Sequence, residues 1–370
     1  MYMSELSRWN LELLDFMDDL VRVFDKTGFI VYTNQSMKNF LENEEGKYCL
    51  FSDDNNEVEK IYSSLKCVAP LRKNDDIVTE LLTIDNREFL VKSSPVYDDN
   101  NEYWGCVEVF RDVTEENKLH SNLIKYSERT KNDMLVASDI QRSLLSRINH
   151  IEGINLEYEY LSSEQLSGDF FDVIELEDDM VCAYMADVMG HGISASMITM
   201  YIKFSIRSIT RGRKITKPKE ILNELAKGFS KLNVEIYFTI FLGIYNKKTS
   251  EFEYSNAGHN CIPILYNDTK NVKLSLSGFP ITWLFLENSY STGNIKLEKG
   301  DTVLFYTDGL TETKDKDRNE YGEERFLSVI DKYKNEVSDK ELLEMLLQNV
   351  SQFRYGVQED DIALLSMRVL

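Results

Sequence analysis

Cysteine pairs, paired histidine ligands and long apolar runs are all missing from this sequence of 370 residues. The five cysteines are odd in number, widely spaced and never arranged as Cys-x-x-Cys, which predicts reduced thiols in the core. None of the four histidines has a partner at the i, i+4 spacing typical of zinc sites. These absences argue against a disulfide-stapled domain and against a structural zinc site.

Basic residues are also scarce, since 42 lysines and arginines stand against 63 acidic residues and give a formal charge of -21. Such a chain is repelled by phosphate-rich surfaces, so nucleic acid and anionic membrane are disfavoured as partners. The apolar runs stay below the roughly 20 residues that span a bilayer. The start, "MYMSELSRWN", lacks a basic-then-apolar signal pattern, so the sequence predicts a cytoplasmic protein with no nucleic-acid and no membrane partner.

The length and the hydrophobic content of 42% are enough for two or three domains. Near the start, "VRVFDKTGFIVYT" predicts two short strands around a turn in which Gly28 can take positive φ. A short helix capped by Asn34 and ending near Gly46 is predicted next. Three further strands are predicted at residues 77–84, 87–96 and 103–111.

This order of elements resembles the PAS sensor family. The resemblance rests on "FDKTGFIVYTN" and on "SSPVYDDNNEYWGCVEVFRDVTEEN", with Arg-Asp-Val-Thr-Glu at 111–115 its most specific part. It implies that residues 1–113 form a PAS-like sensor domain, whose ligand is unknown. No histidine precedes His120 and Cys49 lacks the flavin-photoreceptor signature, which disfavours histidine-ligated haem and a cysteine-linked flavin. A PAS fold that only dimerises or transmits a signal is the alternative.

A long helix is predicted for residues 114–147, which contain no Gly or Pro and are rich in helix formers. A seven-residue apolar stripe begins at Leu119 and slips in phase towards Met134, so a coiled coil here would be imperfect. We interpret residues 114–150 as a helical linker and expect a homodimer through the PAS-like domain and this helix. The alternative is an amphipathic helix packed on its own domain.

From Ile154 onward, apolar and polar residues alternate, and many predicted strands are combined with a few long helices. This pattern indicates an α+β fold for residues 151–370, with helices packed on sheets. The predicted strands lie at 181–187, 236–245, 251–256, 262–266, 272–276, 302–307 and 362–368. The predicted helices lie near 193–211, 218–232, 323–334 and 338–353.

Four carboxylates in this region share one context, the end of an apolar strand or a tight turn beside it. They are Asp169 in "SGDFFD", Asp187 in "AYMADVMG", Asp308 in "VLFYTDG" and Asp360 in "QEDDIALL". A charge at the end of an apolar run is costly unless it is paired or bound to metal, so the set points to a cation. Hard oxygen ligands favour Mg²⁺ or Mn²⁺, and two such ions can activate water against a phosphate ester. For any one Asp, an exposed turn residue is the alternative.

Five ordered motifs resemble the bacterial PPM-type (2C-class) serine/threonine phosphatases: "SSEQLSGDFFD", "ADVMGHGISASM", "FLGIYNKKTSEFEYSNAGHN", "VLFYTDGLTET" with "YGEERF", and "EDDIALL". Over roughly residues 135–370 the sequence is similar to the sporulation stage II (SpoIIE-like) and stress-sigma-regulator group. The resemblance implies two packed antiparallel β-sheets flanked by helices. It implies that Asp187 bridges two metal ions with the carbonyl of Val188 beside it. It also implies that Asp308 and Asp360 hold one ion and that Asp169 acts on the second, directly or through water.

Four other residues have weaker assignments. His191 follows Asp187 by four residues, whereas the eukaryotic branch places its histidine two residues after the bridging Asp, so a structural role is favoured. His259 in "NAGHN" is predicted to stabilise a loop, and Asp172 and Asp361 are second-choice carboxylates. The phosphate-gripping arginine of the eukaryotic branch has no match near "LSSEQLSGD", which implies that metals and water hold the phosphate.

The sequence therefore predicts a protein-serine/threonine phosphatase regulated by its PAS-like domain. By the resemblance, its substrate is a phosphorylated anti-sigma-factor antagonist. Two other classes stay open: a non-catalytic sensor scaffold that binds a partner protein, and a PAS-linked kinase or nucleotide cyclase. Retention of the four Asp residues argues against the scaffold. The cyclase or kinase is disfavoured because the sequence has no Gly-rich nucleotide loop and "GDFFD" differs from Gly-Gly-Asp-Glu-Phe.

Overall fold

The chain forms two compact units, Met1–Arg129 and Thr130–Leu370, in a computed structural model. The structure describes residues 13–41, 48–50, 62–66, 77–98, 100–145, 151–163, 165–284 and 290–370. The thiols of Cys49 and Cys67 and the last part of the predicted linker, 146–150, lie outside the described residues. The division into three segments drawn from the sequence, 1–113, 114–150 and 151–370, stays a prediction.

The first unit is built on a five-stranded antiparallel sheet. Its strands are β1 (Leu20–Asp25), β2 (Ile30–Thr33), β5 (Val78–Ile84), β6 (Arg87–Tyr97) and β7 (Tyr103–Asp112), in the spatial order β2-β1-β7-β6-β5. Two further short strands, β3 (Tyr48–Leu50) and β4 (Tyr62–Lys66), pair in parallel. The predicted hairpin around Gly28 is confirmed, because this residue has φ 81° between β1 and β2.

Helix α1 (Gln35–Phe40) follows β2, and the predicted cap is confirmed because the Asn34 side chain accepts a hydrogen bond from the Met37 N–H. The helix ends earlier than predicted, since Leu41 already has extended backbone. Gly46, the predicted end, lies outside the described residues.

The core of this sheet contains a fully buried ion pair as well as apolar side chains. Arg22 on β1 lies directly opposite Glu108 on β7, and a guanidinium nitrogen is 2.7 Å from the carboxylate. A buried charge is tolerated when it is paired and hydrogen-bonded in this way. The predicted reduced core thiols are confirmed for the described cysteines, since Cys106, Cys182 and Cys261 are buried and free.

The predicted long helix is confirmed as α2 (Thr114–Leu145), which has 32 residues. At about 1.5 Å per residue it is about 48 Å long. Most of its side chains are exposed, including the apolar Leu119, Leu123 and Tyr126. Near its end Ser138 and Gln141 are buried within the second unit. None of the helices among the described residues is both long enough and apolar enough to cross a membrane.

The second unit contains two antiparallel sheets, which confirms the predicted α+β class. The first has the order β16-β12-β11-β10-β9, with β15 paired to β11, and the second has the order β14-β13-β17-β18-β8. The strands are β8 (Ile154–Leu161), β9 (Asp169–Glu175), β10 (Met180–Val188), β11 (Tyr237–Asn246), β12 (Glu251–Ala257), β13 (Ile264–Tyr266), β14 (Asn271–Lys273), β15 (Ile281–Thr282), β16 (Gly293–Lys296), β17 (Thr302–Tyr306) and β18 (Ile362–Val369).

Helices cover the sheets of this unit. They are α3 (Ile193–Arg207), α4 (Pro218–Ser230), α5 (Asp308–Thr311), α6 (Gly322–Tyr333) and α7 (Asp339–Phe353). The end of α3 differs from the prediction, because Ser208–Gly212 form a π-helical turn. Strand β9 was not among the predicted strands. Its first six residues are all buried, so it lacks the alternation that marks a half-exposed strand.

The core between the sheets contains aromatic contacts. The ring of Phe241 on β11 lies edge-on to Phe305 on β17, with 6.0 Å between centroids, and stacks on Tyr254 at 5.5 Å. Since β11 and β17 belong to different sheets, this buried ring joins the two layers.

Truncating this ring tests the packing. We expect Phe241→Ala to lower the free energy of unfolding by about 3–5 kcal/mol, because it removes buried surface and leaves a cavity. Phe204→Ala on the exposed side of α3 is the matched control and should change it by about 0.5 kcal/mol or less. Urea unfolding followed by circular dichroism measures both. Equal losses in the two variants would contradict the assigned core.

Candidate functional site

Strand pairing brings two of the predicted site carboxylates face to face. Strands β9 and β10 are antiparallel, and Asp169 lies directly opposite Asp187 in their register. Residues paired in this way project to the same face of the sheet with Cβ atoms about 4.5–5.5 Å apart. Like charges at such positions repel each other, so the sheet holds together two groups that would otherwise separate.

A close approach of two backbones explains the glycine before Asp169. A Cβ added to Gly168 would lie 2.7 Å from the Val188 carbonyl oxygen and 2.9 Å from that of Gly190. The Val188 N–H also donates to the Gly168 carbonyl at 3.1 Å. Beyond Val188 the chain turns through Gly190 and Gly192, which have φ values of 88° and 81°. The Val188 carbonyl, predicted as a metal ligand, therefore lies next to the Asp169 turn.

The second sheet delivers the other two carboxylates to one edge. Asp308 begins α5 two residues after β17 ends, and Asp360 lies two residues before β18 begins. These strands are antiparallel neighbours. The Thr307 N–H donates to the Ala363 carbonyl, and the Thr307 hydroxyl accepts a hydrogen bond from the Ala363 N–H. A Cβ on Gly309 would collide with the Asp361 carbonyl, so the glycine permits this contact.

The four carboxylates lie within each other's electric fields. Burial and the Asp187 charge hold the pKa of Asp169 well above its usual range. Burial, followed by the charges of Asp308 and Asp360, raises the pKa of Asp187 to about 7. Burial and the Asp360 charge raise the pKa of Asp308 to about 6. Burial also raises the pKa of Asp360, the most exposed of the four. The predicted site residues from both sheets are thus brought together.

The chemistry of this set fits a hard divalent cation. The Oδ2 atom of Asp169 is buried and has no hydrogen-bond partner, and the predicted ligands, four carboxylates and the Val188 carbonyl, all offer oxygen atoms. Among the described residues, no three His, Cys, Asp or Glu side chains already form a group able to hold one ion. The carboxylates are therefore close enough to repel each other without forming a closed ligand set. A cation would remove this repulsion and allow them to approach.

Asp361 has a positioning role, and its contacts set it apart from Asp360. Its carboxylate accepts hydrogen bonds from the Ser163 N–H at 2.7 Å, the Ser163 hydroxyl at 3.0 Å, the Gly168 N–H at 3.1 Å and the Ser167 hydroxyl. These bonds fix the turn that presents Asp169. From the sequence, Asp361 was predicted only as a second-choice carboxylate.

Asp172, the other second-choice carboxylate, is not part of this site. It lies three residues after Asp169 and therefore on the opposite face of β9. Its carboxylate is buried in an ion-pair group, 2.8 Å from a guanidinium nitrogen of Arg207 and 3.1 Å from Nζ of Lys203. These contacts give it a structural role.

His259 joins the two sheets behind the carboxylates, as its predicted structural role requires. Burial lowers its pKa to about 4, so the ring is neutral at pH 7. The Tyr306 carbonyl can only accept, so Nε2–H donates to it at 3.3 Å, and Nδ1 accepts from the Thr239 hydroxyl at 3.0 Å. Thr239 pairs with Asp187, and Tyr306 lies two residues before Asp308. His191 is exposed in the turn before α3.

Two residues that act on the site were not predicted from the sequence, Glu312 and Gln141. Glu312 lies one helical turn after Asp308 and raises the pKa of both Asp187 and Asp308. The i, i+4 spacing in "TDGLTET" was a usable signal for it. Gln141 on α2 donates from Nε2 to the Ser167 carbonyl at 2.9 Å and accepts from the Ser167 N–H at 3.2 Å. No local pattern marks Gln141 for this contact.

The two sheets, with carboxylates at a shared edge, define a PP2C-type phosphatase fold. The SiaA-PP2C domain of Pseudomonas aeruginosa matches with a TM-score of 0.56 and 19% identity, covering 66% of this chain and 98% of that chain. The PP2C phosphatase domain with a regulatory fragment of SpoIIE from Bacillus subtilis matches with a TM-score of 0.50 and 15% identity, covering 79% and 82%.

The chain belongs to the SpoIIE family, because the family described as Stage II sporulation protein E (SpoIIE) matches residues 177–370, more than half of the sequence. The phosphoserine phosphatase RsbU of Bacillus subtilis (strain 168) is 25% identical over 198 residues, which are 52% of this chain and 57% of RsbU. The phosphoserine phosphatase RsbP of the same organism is 25% identical over 193 residues, 50% of this chain and 47% of RsbP. The chain spans about half the length of these curated relatives.

The raised pKa values predict how stability depends on pH. Between the ordinary value of 3.8 and about 7, folded Asp187 retains a proton that the unfolded chain has released. The folded state binds more protons in this window, so stability should fall as pH rises through it. In scanning fluorimetry with EDTA, the melting temperature should fall more steeply with rising pH for the wild type than for Asp187→Asn. If the melting temperatures of the two proteins changed with pH in parallel, the raised pKa of Asp187 would be contradicted.

Proposed function

We propose that the second unit is a metal-dependent phosphatase that hydrolyses phosphoserine or phosphothreonine on a partner protein. The observation that carries this proposal is the Asp169 and Asp187 pair, held in strand register and facing Asp308 and Asp360. Membership of the SpoIIE family and the similarity to RsbU and RsbP support the same reaction. The substrate class we propose is a phosphorylated anti-sigma-factor antagonist, following the motif resemblance.

In this proposal, Asp187 and the Val188 carbonyl would contact two ions, Asp308 and Asp360 would hold one, and Asp169 would serve the other. The ions would be Mn²⁺ or Mg²⁺, and when bound they would supply an activated water and offset the charge that develops on the phosphoryl oxygens. The protein keeps the four carboxylates at one edge through strand pairing.

Positioning falls to residues that do not contact the substrate in this proposal. Asp361 fixes the turn before Asp169, and His259 links the strand that carries Thr239 to the strand end before Asp308. These contacts hold the oxygen ligands in place. The proposed reaction involves no covalent enzyme intermediate.

Replacing the central carboxylate tests this mechanism. Asp187→Asn should lower phosphate release from a phosphoserine protein at saturating Mn²⁺ by about a hundredfold or more, because it weakens the ligand proposed to serve both ions. Asp178→Asn is the matched control on an exposed turn, where asparagine also tolerates the positive φ of 59°. It should keep wild-type activity.

Malachite-green detection measures the released phosphate, and calorimetry with Mn²⁺ measures ion binding separately. Full activity in Asp187→Asn would refute the proposed mechanism. Metal binding by a wild-type protein that releases no phosphate would instead indicate a scaffold that only binds its partner.

For the first unit we propose a PAS-like sensor at residues 1–113, a helical linker at 114–150 and homodimerisation through both. The five-stranded antiparallel sheet with a helix after its first hairpin supports the sensor assignment. The exposed apolar side chains of Leu119, Leu123 and Tyr126 on α2 support a second copy as the partner of that helix.

We further propose that the linker helix regulates the site through Gln141. This side chain is buried and bonds both backbone polar groups of Ser167, two residues before Asp169. It also donates to the Thr199 hydroxyl on α3 at 3.2 Å. A shift of the helix end would therefore move the turn that presents Asp169.

Gln141→Ala tests this link in the full chain. It removes both bonds to Ser167 and should lower turnover by about tenfold, because a loosened turn misplaces Asp169. Asp139→Ala, an exposed neighbour on the same helix, is the control and should leave turnover unchanged. Steady-state assays across a Mn²⁺ titration measure both variants. Deletion of residues 1–113 should also change activity, and unchanged turnover in both Gln141→Ala and the deletion would refute the coupling.

A further inference from the structure

A small pocket lies beside the carboxylates and shares Asp360 with them. Its volume is about 160 Å³, and Gly309 and Asp360 form the wall next to the site. Small-molecule sites usually measure about 300–1,000 Å³, so this pocket suits a single side chain better than a whole ligand. Since its wall includes Asp360 and the neighbour of Asp308, a chain bound at the carboxylates would pass over it.

Two cations form another part of this pocket, Lys314 and Arg354. Within the part of the chain that the structure describes, neither of them pairs with a carboxylate at salt-bridge distance. Both side chains line the same pocket in a chain whose formal charge is -21. Cationic side chains in a concave site attract an anion.

Arg354 is held in a defined position. Its Nη1 donates to Oε1 of Gln358 at 2.9 Å, and Nε2 of Gln358 donates to the Asp360 carbonyl at 2.7 Å and to the Leu161 carbonyl at 3.0 Å. This chain of bonds fixes the guanidinium relative to Asp360. The remaining guanidinium N–H groups form a planar fork suited to a carboxylate.

The rim of the pocket offers apolar contact. Tyr355 and Val357 are 73% and 82% exposed, and both line the pocket. The Tyr355 N–H donates to the Lys314 carbonyl at 3.0 Å, so the segment after α7 is tied to the segment after α5. These two side chains offer apolar surface to a peptide segment bound beside the pocket.

Acidic residues also line the pocket, and their positions limit the choice of ligand. Glu312 and Asp360 belong to the carboxylate group described above, whose charge bound cations would offset, and Glu359 is exposed. The lining thus contains three acidic and two basic side chains, and its positive charge lies at Lys314 and Arg354. A ligand must place its negative charge at these two side chains and stay clear of Glu359.

We propose that this pocket is a specificity subsite that binds an acidic side chain of the substrate protein, a few residues from the phosphoserine. The carboxylate of that side chain pairs with Arg354 and Lys314, while adjacent substrate residues contact Tyr355 and Val357. This inference rests on the proposed phosphatase function and adds to it the substrate feature that the site reads.

Kinetics with synthetic peptides test the subsite on the full chain in Mn²⁺. The probes are nonapeptides with a central phosphoserine and one Glu, placed in turn at each flanking position, and the same set with Gln in place of Glu. For the wild type, kcat/KM should be about fivefold higher for the best Glu peptide than for its Gln counterpart. Arg354→Gln and Lys314→Gln should each bring this ratio close to one. Lys219→Gln, an exposed lysine on α4, is the control and should keep the wild-type ratio.

A charge exchange gives a second readout that a folding defect cannot imitate. Arg354→Glu should prefer the peptide that carries Lys at the selected position over the peptide that carries Glu. A wild type that cleaves Glu and Gln peptides equally well, or a ratio that survives in Arg354→Gln, would overturn the subsite and leave the phosphatase function intact. Absence of phosphate release from every peptide by the wild type would overturn both proposals.

Discussion

The repulsion between carboxylates gathered at one edge of two sheets is the constraint on which the second unit depends. Asp169 and Asp187 are fixed opposite each other by strand register, and Asp308 and Asp360 approach from the other sheet. Burial and mutual charge raise their pKa values, so the arrangement costs stability unless a cation offsets it. Such a group lowers stability by itself, and the proposed metal ions would offset its charge.

The scaffold around the carboxylates opposes this repulsion with hydrogen bonds and close packing. His259 joins the two sheets through a neutral ring, and Asp361 anchors the turn before Asp169 with four accepted hydrogen bonds. Gly168 and Gly309 let backbones approach where any side chain would collide. Buried aromatic packing between the sheets, centred on Phe241 and Phe305, stabilises the frame to which these groups belong.

Much of this architecture could be predicted from the sequence, because the relevant signals are local. The hairpin at Gly28, the cap at Asn34 and the helix from Thr114 follow from turn, capping and helix-propensity rules. Strand β9 was missed because both of its faces are buried and its sequence does not alternate. The four Asp residues were expected to lie close together because they share a position at strand ends and match the motifs of the resemblance.

Contacts between distant parts of the chain could not be predicted in the same way. Asp361 bonds Ser163 and Gly168, nearly two hundred residues earlier in the chain, and only the strand order brings them together. The same holds for Gln141 with Ser167, and for Arg354 beside Lys314. Such pairs depend on tertiary packing, which leaves no periodic pattern in the sequence.

The most direct test of the central claim is anomalous diffraction from crystals of the full chain soaked in Mn²⁺. Two manganese peaks are expected between the two sheets, with oxygen atoms of Asp187, Asp308 and Asp360 at about 2.0–2.1 Å, the range for a small divalent ion, and with Asp169 bonded to the second ion directly or through a water. Peaks elsewhere on the protein, with these four carboxylates still apart and unliganded, would contradict it.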